Sequence, residues 1–339
     1  MTRSGALADR IGQLTGLPVR EARVVGAQHG YQHLMLTLSG GRRAFAKAAA
    51  SPAQPVASPA QPVASPAQPG VSPTAEVAAA FAAEANGLRW LAEAAAVPVP
   101  EVLAVGPEAL VIAMLPPGPA TPAAAFQFGT DLARLHAAGA DRFGASWPGF
   151  IASLPLDNTP DLPHTTDSPD TAAPPNATDP PDTTDPRRGA DWPHWYARRR
   201  LLPFLTRAVD AGALQSQDAR LVEEVIDRIA SLAGPAEPPS RIHGDCWAGN
   251  VLWSGGRGWL IDPAAHGGHR ETDLAMLALF GAPSLDRILV GYNDTVPLAA
   301  GWRSRIPLHQ LHPLLVHACL FGASYREEVR SAARAALAI

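Results

Sequence analysis

The chain has 339 residues, which is enough for one large domain or two ordinary ones. Its hydrophobic content of 47% is that of a globular protein, and its net charge of −4 excludes a strongly basic surface for nucleic acid or anionic membranes. Two cysteines, Cys246 and Cys319, cannot make a disulfide framework and form no CxxC zinc motif. No signal-peptide pattern and no run of about 18 uncharged apolar residues occurs, so we expect a cytoplasmic protein without nucleic-acid or membrane partners.

The first third of the sequence predicts a β-β-β-α-β-β arrangement. Runs of apolar and β-branched residues indicate the strands, and Ser72-Pro73 has the pattern of a helix start. The predicted elements are strands at 22–28, 31–38 and 43–47, a helix at 73–96, and strands at 99–105 and 109–115.

Two stretches of biased composition interrupt this pattern. Residues 51–72 contain a seven-residue repeat, SPAQPVA, with two prolines in every seven positions, which rules out a helix or a central strand. Residues 157–190 are rich in Asp, Thr and Pro and have hardly any large apolar residue. We expect both to be disordered insertions, because neither can bury enough apolar surface to offset the entropy of ordering.

The remainder of the chain predicts mainly helices with a few short strands among them. The predicted helices are 123–138, 192–212, 216–233, 271–281, 284–292, 307–320 and 322–337, and the predicted strands are 241–243, 251–253 and 258–262. The predicted fold class is therefore α+β: a two-lobed, protein-kinase-like fold with an N-terminal lobe of a five-stranded antiparallel sheet plus a helix over residues 1–115. A mainly helical C-terminal lobe over 116–339 completes it, with a cleft between the lobes.

The segment HGDCWAGNVLW, followed by WLIDP, carries the strongest chemical signal. Asp245 and Asn250 are five residues apart on a predicted tight loop, and Asp262 ends an apolar strand. Asp245 can act as catalytic base by accepting a hydroxyl proton, while the amide oxygen of Asn250 and the carboxylate of Asp262 suit Mg²⁺. The spacing therefore indicates transfer of a phosphoryl group.

Lys47, the only lysine of the chain, ends the third predicted strand, and Glu84 lies in the next helix. A strand lysine paired with a helix glutamate is the arrangement by which kinases hold the non-reacting phosphates of ATP. We therefore predict ATP binding by Lys47 and Glu84.

Each of these residues also has a simpler interpretation. The HGD triplet could form an ordinary turn, Asp262 could merely end a strand, and Glu84 could be a solvated helix charge. In the segment GHRETDLAM, Asp273 could only favour the positive end of a helix, and Cys246 is expected to be a small buried hydrophobe.

Several longer strings resemble the fructosamine kinase (ketosamine 3-kinase) family, of the aminoglycoside-phosphotransferase-like branch of the kinase fold. They are HGDCWAGNVLW, LIDPAAHGGHRETDLAMLALFG, YNDTVPLAAGWRSRIPLHQLHPLLVHACLFG, LARLHAAGADRFG and DWPHWYARRRLLP. The resemblance implies phosphorylation of the sugar 3-hydroxyl of a ketosamine by ATP and Mg²⁺, a deglycation activity on small ketosamines or on glycated lysines of peptides and proteins.

The resemblance also implies residue roles. Asp245 would be the base, Asn250 and Asp262 would bind Mg²⁺, and Lys47 and Glu84 would form the ion pair at the phosphates. The segment Ala113, Met114 and Leu115 would be the hinge whose backbone meets adenine. Alanine at position 113, where the family usually has glutamate, leaves such a backbone contact possible.

Two further departures from the family pattern fall near the predicted site. Cys246 stands where leucine is usual, and His266 stands where an aromatic residue is more common. Both are expected to alter the substrate pocket.

Two other functions fit the same fold. One is a kinase for an aminoglycoside-like or other small molecule. The other is a pseudokinase that binds a nucleotide or a partner without catalysis, against which stands the presence of all five residues of the predicted site.

Overall fold

The computed structural model describes residues 3–28, 31–49, 73–160 and 192–339. The predicted insertion at 51–72 lies outside these ranges, and so does 161–190 of the second one. Its first residues, 157–160, are described. Asn158 is buried there, and its side-chain oxygen accepts a hydrogen bond from Arg200 at 2.6 Å. Residues 157–160, the first four of that segment, are therefore not disordered as expected.

Five antiparallel strands form the main sheet, in the order β1-β2-β3-β5-β4. The strands are β1 (Val19–Gln28), β2 (Tyr31–Leu38), β3 (Arg43–Ala49), β4 (Val102–Val105) and β5 (Ala109–Ala113). All five were expected from the sequence, so the predicted antiparallel sheet is confirmed.

Strand β3 is buried on both faces, which decides where its lysine points. Ala44, Ala46 and Ala48 are fully buried on the face that packs against helix α1 (Arg3–Thr15). Because side chains alternate along a strand, Phe45 and Lys47 lie on the opposite face. That face is covered by helix α2 (Pro73–Glu93). The alternation therefore places Lys47 between the sheet and α2.

The rest of the described chain is mainly helical. Its helices are α3 (Pro122–Ala137), α4 (Trp192–Tyr196), α5 (Leu202–Asp210), α6 (Ser216–Asp227), α7 (Ile229–Leu232), α8 (Glu271–Leu279), α9 (Leu285–Thr295), α10 (Trp302–Phe321) and α11 (Arg326–Leu337). Its strands form three hairpin-like pairs from β6 (Gly149–Ile151), β7 (Leu154–Leu156), β8 (Ser240–Ile242), β9 (Val251–Ser254), β10 (Arg257–Leu260) and β11 (His266–Gly268). Within the described ranges, no helix combines the length and the apolarity that crossing a membrane requires.

Several elements differ from the sequence-based prediction. Helix α1, the β6–β7 pair and strand β11 were not predicted. The predicted helix over 192–212 is interrupted by a π-helical turn at Ala197–Leu201. Helix α10 begins five residues earlier than predicted and continues through Pro307 and Pro313. Burial of most of its length compensates for the backbone hydrogen bonds that prolines cannot make.

Helices α3 and α9 cross at two glycines. A Cβ atom at Gly129 would overlap the backbone carbonyl of Ile288, and one at Gly291 would overlap the carbonyl of Phe126. The two helix backbones are therefore closer than any larger residue would allow. This crossing positions Tyr292 and His136, which contact the site described below.

Substitution of Gly129 by alanine is therefore expected to force the two helices apart. We expect G129A to lower the free energy of unfolding by about 1–3 kcal/mol, measured by urea denaturation. Gly12 in helix α1 is the matched control, since an added Cβ there meets only ordinary contacts at 3.4 Å or more. G12A is expected to be neutral or stabilising by up to about 1 kcal/mol; equal effects of the two substitutions would contradict this account.

Candidate active site

Lys47 is at the centre of a buried group of charges. Its Nζ lies 2.7 Å from Oε2 of Glu84 and 2.8 Å from Oδ1 of Asp262. Burial alone would lower the pKa of Lys47, but the two carboxylates hold this pKa well above its usual value. The lysine is therefore charged, as predicted, and its partners come from helix α2 and from the end of strand β10.

Asp262 takes a backbone conformation that side chains rarely adopt, with φ at 54°. This left-handed geometry follows directly after the apolar run of β10 and turns the carboxylate towards Lys47. Burial is the largest single influence and raises the pKa of Asp262, but the charge and hydrogen bond of Lys47, together with smaller contributions from Glu84 and His33, leave this pKa below its usual value. Asp262 is thus held as an anion.

Asp245 and Asn250 lie on the loop between strands β8 and β9. The side-chain amide of Asn250 donates to both the backbone oxygen and Oδ2 of Asp245, each at 2.9 Å. The predicted five-residue spacing therefore brings these two side chains into direct contact. Because the amide nitrogen makes both bonds, Oδ1 of Asn250 takes part in neither.

The carboxyl group of Asp245 has an unusual electrostatic environment. Burial raises its pKa to about 8, and the nearby charges of Asp262 and Asp273 act in the same direction. The hydrogen bond from Asn250 and the charge of Lys47 oppose this increase. A carboxylate with a raised proton affinity is a stronger base, but at a pKa of about 8 most of it is protonated at pH 7, so only the ionised fraction can accept a proton from a hydroxyl group.

Asp273 supports the loop of residues 243–250, which we call the catalytic loop because it carries the predicted base Asp245. It is fully buried, its Oδ2 accepts from the backbone N–H of His243 at 2.7 Å, and its Oδ1 accepts from that of Gly244 at 2.9 Å. Nε2 of His136 lies 3.1 Å from Oδ2 of Asp273, and Nδ1 of His136 lies 2.8 Å from the hydroxyl of Tyr292. Asp273 therefore fixes the loop that carries Asp245, and its interpretation as a helix-start residue alone was wrong.

One cavity of about 470 Å³ contains the predicted phosphoryl-transfer residues. Lys47, Glu84, Asp245, Asn250 and Asp262 all line it. Sequence reasoning missed the apolar part of its wall, which includes Phe150 of strand β6, Met276 of α8, and a group of aromatic residues from the catalytic loop and the last helices. The resemblance strings contained most of these aromatic residues, but nothing in the sequence indicated that they meet.

The predicted hinge lies apart from this cavity. Ala113 ends strand β5, and its N–H donates to the backbone oxygen of Glu101 at 2.8 Å. The N–H of Met114 donates to the backbone oxygen of Arg43 at 3.3 Å. The sheet therefore uses both of these amide hydrogens, and a contact of Ala113, Met114 and Leu115 with adenine stays a prediction.

Cys246 and His266 do not shape the cavity, contrary to the expectation. Cys246 is fully buried in the core beside Leu260 and Leu277, and burial raises the pKa of its thiol well above the usual value. His266 is also buried, and its Nδ1 lies 2.8 Å from the backbone oxygen of Ala264. Neither side chain lines the cavity. Cys246 is the small buried hydrophobe that was predicted.

A second buried polar group follows strand β11. His269, Glu271 and His309 are arranged closely enough to suggest a metal site. However, Arg305 binds both carboxylate oxygens of Glu271, at 2.6 and 2.9 Å. The neighbouring Arg270 likewise binds both oxygens of a glutamate, at position 237. Arginine therefore already neutralises the carboxylate that a metal ion would need.

The five-stranded antiparallel sheet and the mainly helical remainder define a protein of the protein-kinase-like fold. A macrolide 2′-phosphotransferase type I shares this fold, with a TM-score of 0.58 at 18% identity over 99% of this chain and 97% of that chain. The family model of the fructosamine kinases matches residues 71–162 and 183–338. The chain therefore belongs to the fructosamine kinase family.

Two relatives illustrate this membership. The "Probable ketoamine kinase YniA" of Escherichia coli O157:H7 is 33% identical over 255 residues, which are 74% of this chain and 78% of the relative. A crystal structure of a "putative fructosamine-3-kinase" from Thermobifida fusca YX-ER1 has a TM-score of 0.81 at 45% identity, covering 98% of this chain and 99% of that chain.

Replacement of Asp273 by asparagine tests the support of the catalytic loop. The N–H groups of His243 and Gly244 now donate to the two carboxylate oxygens of Asp273. In asparagine, an NH₂ group would replace one of these oxygens and face an N–H donor, so we expect D273N to lower the free energy of unfolding by about 3 kcal/mol. The exposed Asp294 of helix α9 provides the control, because D294N is expected to change stability by no more than about 0.5 kcal/mol. Equal stability of the two variants in urea denaturation would refute the role of Asp273.

Proposed function

We propose that this chain transfers the γ-phosphoryl group of ATP to the sugar 3-hydroxyl of a ketosamine, a fructosamine- or ribulosamine-type adduct of a sugar with an amine. Residues 1–115 would bind the nucleotide, and residues 116–339 would carry the catalytic loop and the acceptor. The observation that carries the proposal is the single cavity that Asp245 shares with the ion pair of Lys47. The names of the relatives support a ketosamine as the acceptor.

The reaction would begin with the acceptor hydroxyl at Asp245. As the hydroxyl oxygen attacks the γ-phosphorus, its proton passes to the carboxylate of Asp245, and the bond from the γ-phosphorus to the bridging oxygen breaks to release ADP. Phosphoryl transfer depends mainly on positioning and charge stabilisation. The ammonium group of Lys47 would hold the non-reacting phosphates, and Glu84 would keep that group in place. Phosphorylation of the adduct would be the first step of deglycation.

The residues present fit a magnesium ion. Asp262 uses Oδ1 for Lys47, and in the described part of the chain no hydrogen bond engages Oδ1 of Asn250. A carboxylate and an amide oxygen are the hard ligands that Mg²⁺ prefers. Asn250 and Asp262 would hold the ion, which supplies charge neutralisation at the phosphate oxygens when bound. The contact between Asn250 and Asp245 would at the same time orient the base.

Release of ADP from ATP in the presence of fructosyl-lysine or ribulosyl-lysine tests the proposal directly. We expect turnover with at least one of these adducts. Asp245→Asn should lower this turnover by about 10²- to 10⁴-fold, because asparagine cannot take the proton, while nucleotide affinity is largely retained.

The same assay separates the other candidate functions. Faster turnover of an aminoglycoside than of every ketosamine would replace the proposed acceptor. Nucleotide binding without ADP release from any acceptor would identify a pseudokinase. A normal rate for D245N would remove Asp245 from the role of base.

Lys47→Arg tests the phosphate contact. The guanidinium group is larger and forked, and it does not fit between two carboxylates that hold a compact ammonium group at 2.7 and 2.8 Å. We expect K47R to lower turnover by about 10²-fold. Arg42→Lys is the matched control, because Arg42 is an exposed partner of Glu101 just before the same strand, and its turnover should stay within twofold. Equal rates for both variants would contradict the assignment.

A further inference from the structure

Five aromatic rings form a continuous group on one side of the cavity. We call this group the aromatic wall, and it consists of Trp247, Phe280, His317, Phe321 and Tyr325. Ring centroids lie 6.0 Å apart between Trp247 and Phe280 and 5.1 Å apart between Phe280 and His317. His317 in turn lies 5.6 Å from Phe321 and 4.8 Å from Tyr325. The rings therefore make one connected surface.

The aromatic wall begins beside the proposed base. Trp247 is two residues from Asp245, and its backbone N–H donates to the backbone oxygen of Asp245 at 3.0 Å. An acceptor with its hydroxyl at Asp245 therefore has the remainder of its structure within reach of these rings. Under the proposed function, the phosphates would lie at Lys47, which lines the same cavity.

These rings are unusually accessible for their size. Trp247 is 39% exposed, and Phe280 and Phe321 are each 40% exposed. Large aromatic side chains that line a cavity rather than fill the core provide apolar area and negatively polarised faces for a ligand. Because these faces attract organic cations, a protonated amine can bind there without a carboxylate partner.

His317 adds one polar atom to the wall. Its Nδ1 lies 2.7 Å from the backbone oxygen of Pro313, and a carbonyl oxygen can only accept, so Nδ1 carries the hydrogen. Burial lowers the pKa of His317, which keeps the ring neutral at pH 7. Nε2 then has a lone pair that can accept a hydrogen bond from an ammonium or hydroxyl group.

Charge is confined to the other part of the cavity. Among the described residues that line it, the acidic and basic side chains are Lys47, Glu84, Asp245 and Asp262, all of which belong to the ion-pair and catalytic groups. A carboxylate placed on the aromatic wall would lose water without gaining a charged partner there. The wall therefore favours apolar and cationic groups over anionic ones.

We propose that the aromatic wall binds the amine half of the ketosamine and selects adducts whose nitrogen carries an apolar or aromatic substituent. This inference rests on the proposed function and specifies the acceptor for the same site. The protonated nitrogen lies against the ring faces, its substituent covers Phe280 and Phe321, and the sugar extends back to Asp245.

Three fructose adducts that differ only in the amine test this selection. They are the adducts of benzylamine, methylamine and glycine, assayed by ADP release with the full chain. We expect kcat/KM for the benzylamine adduct to exceed that for the methylamine adduct by about tenfold, since one more aromatic contact with a cation or ring is worth roughly that factor. The glycine adduct, which carries a carboxylate, should have the lowest kcat/KM.

Variants of the aromatic wall then show whether Phe280 and Phe321 cause the preference for the benzylamine adduct. Phe280→Ala and Phe321→Ala should each lower the ratio of benzylamine to methylamine kcat/KM by about threefold to tenfold, mainly through KM for the benzylamine adduct. Val290→Ala, an apolar truncation at a residue of helix α9 that is 45% exposed and outside the cavity, is the control and should leave the ratio unchanged.

The outcomes separate this inference from the proposed function. Equal kcat/KM for all three adducts, or a preference that both phenylalanine variants retain, overturns the selection by the aromatic wall and leaves the ketosamine kinase activity standing. Absence of ADP release with any adduct refutes the proposed function, and the inference falls with it.

Discussion

The structure depends on one buried cation between two carboxyl groups, of which burial raises the pKa of Glu84 to about 7. Lys47 comes from the main sheet, Glu84 from helix α2, and Asp262 from the end of a strand beside the catalytic loop. Lys47 and Glu84 are largely removed from water and Asp262 is partly exposed, so the buried charge of Lys47 depends on its two carboxyl partners staying in place. The ion pairs therefore fix the position of Asp262, just after strand β10, relative to the main sheet. They do so without any covalent link between these elements.

The catalytic loop is held both by hydrogen bonds within it and by other elements. Asp273 of helix α8 accepts from two of its backbone N–H groups, and Asn250 closes it from the far end. His136 connects Asp273 to Tyr292 on helix α9. The tight crossing of α3 and α9 at two glycines thus contributes to the position of Asp245. Packing far from the cavity and chemistry inside it are coupled through this short chain of contacts.

The sequence was sufficient for the five-stranded sheet and for the pairing of Lys47 with Glu84, but the contact of Lys47 with Asp262, which was predicted only as a metal ligand, was missed. Strands with clear alternation and residues with fixed chemical spacing, such as Asp245 and Asn250, are determined locally. Helix α1 was missed although Gly16, with φ at 68°, follows its last residue; its first turn has no acidic residue, and its stability comes from packing against the sheet. Asp273 was undervalued because its partners are backbone groups about thirty residues earlier in the chain, which no local pattern reveals. The aromatic wall was missed for the same reason, since tertiary packing alone brings its rings together.

The chain uses arginine at 26 of its 27 basic positions, and Lys47 is the exception. Sugars form adducts with lysine only through the neutral amine, which must also be reachable from solvent. Lys47 satisfies neither condition, because it is 8% exposed and its two carboxylate partners keep it protonated. The single lysine side chain of this protein is therefore not open to glycation. This chain is therefore protected, at its one lysine, against glycation. Glycation is the modification that the names of its relatives associate with their substrates.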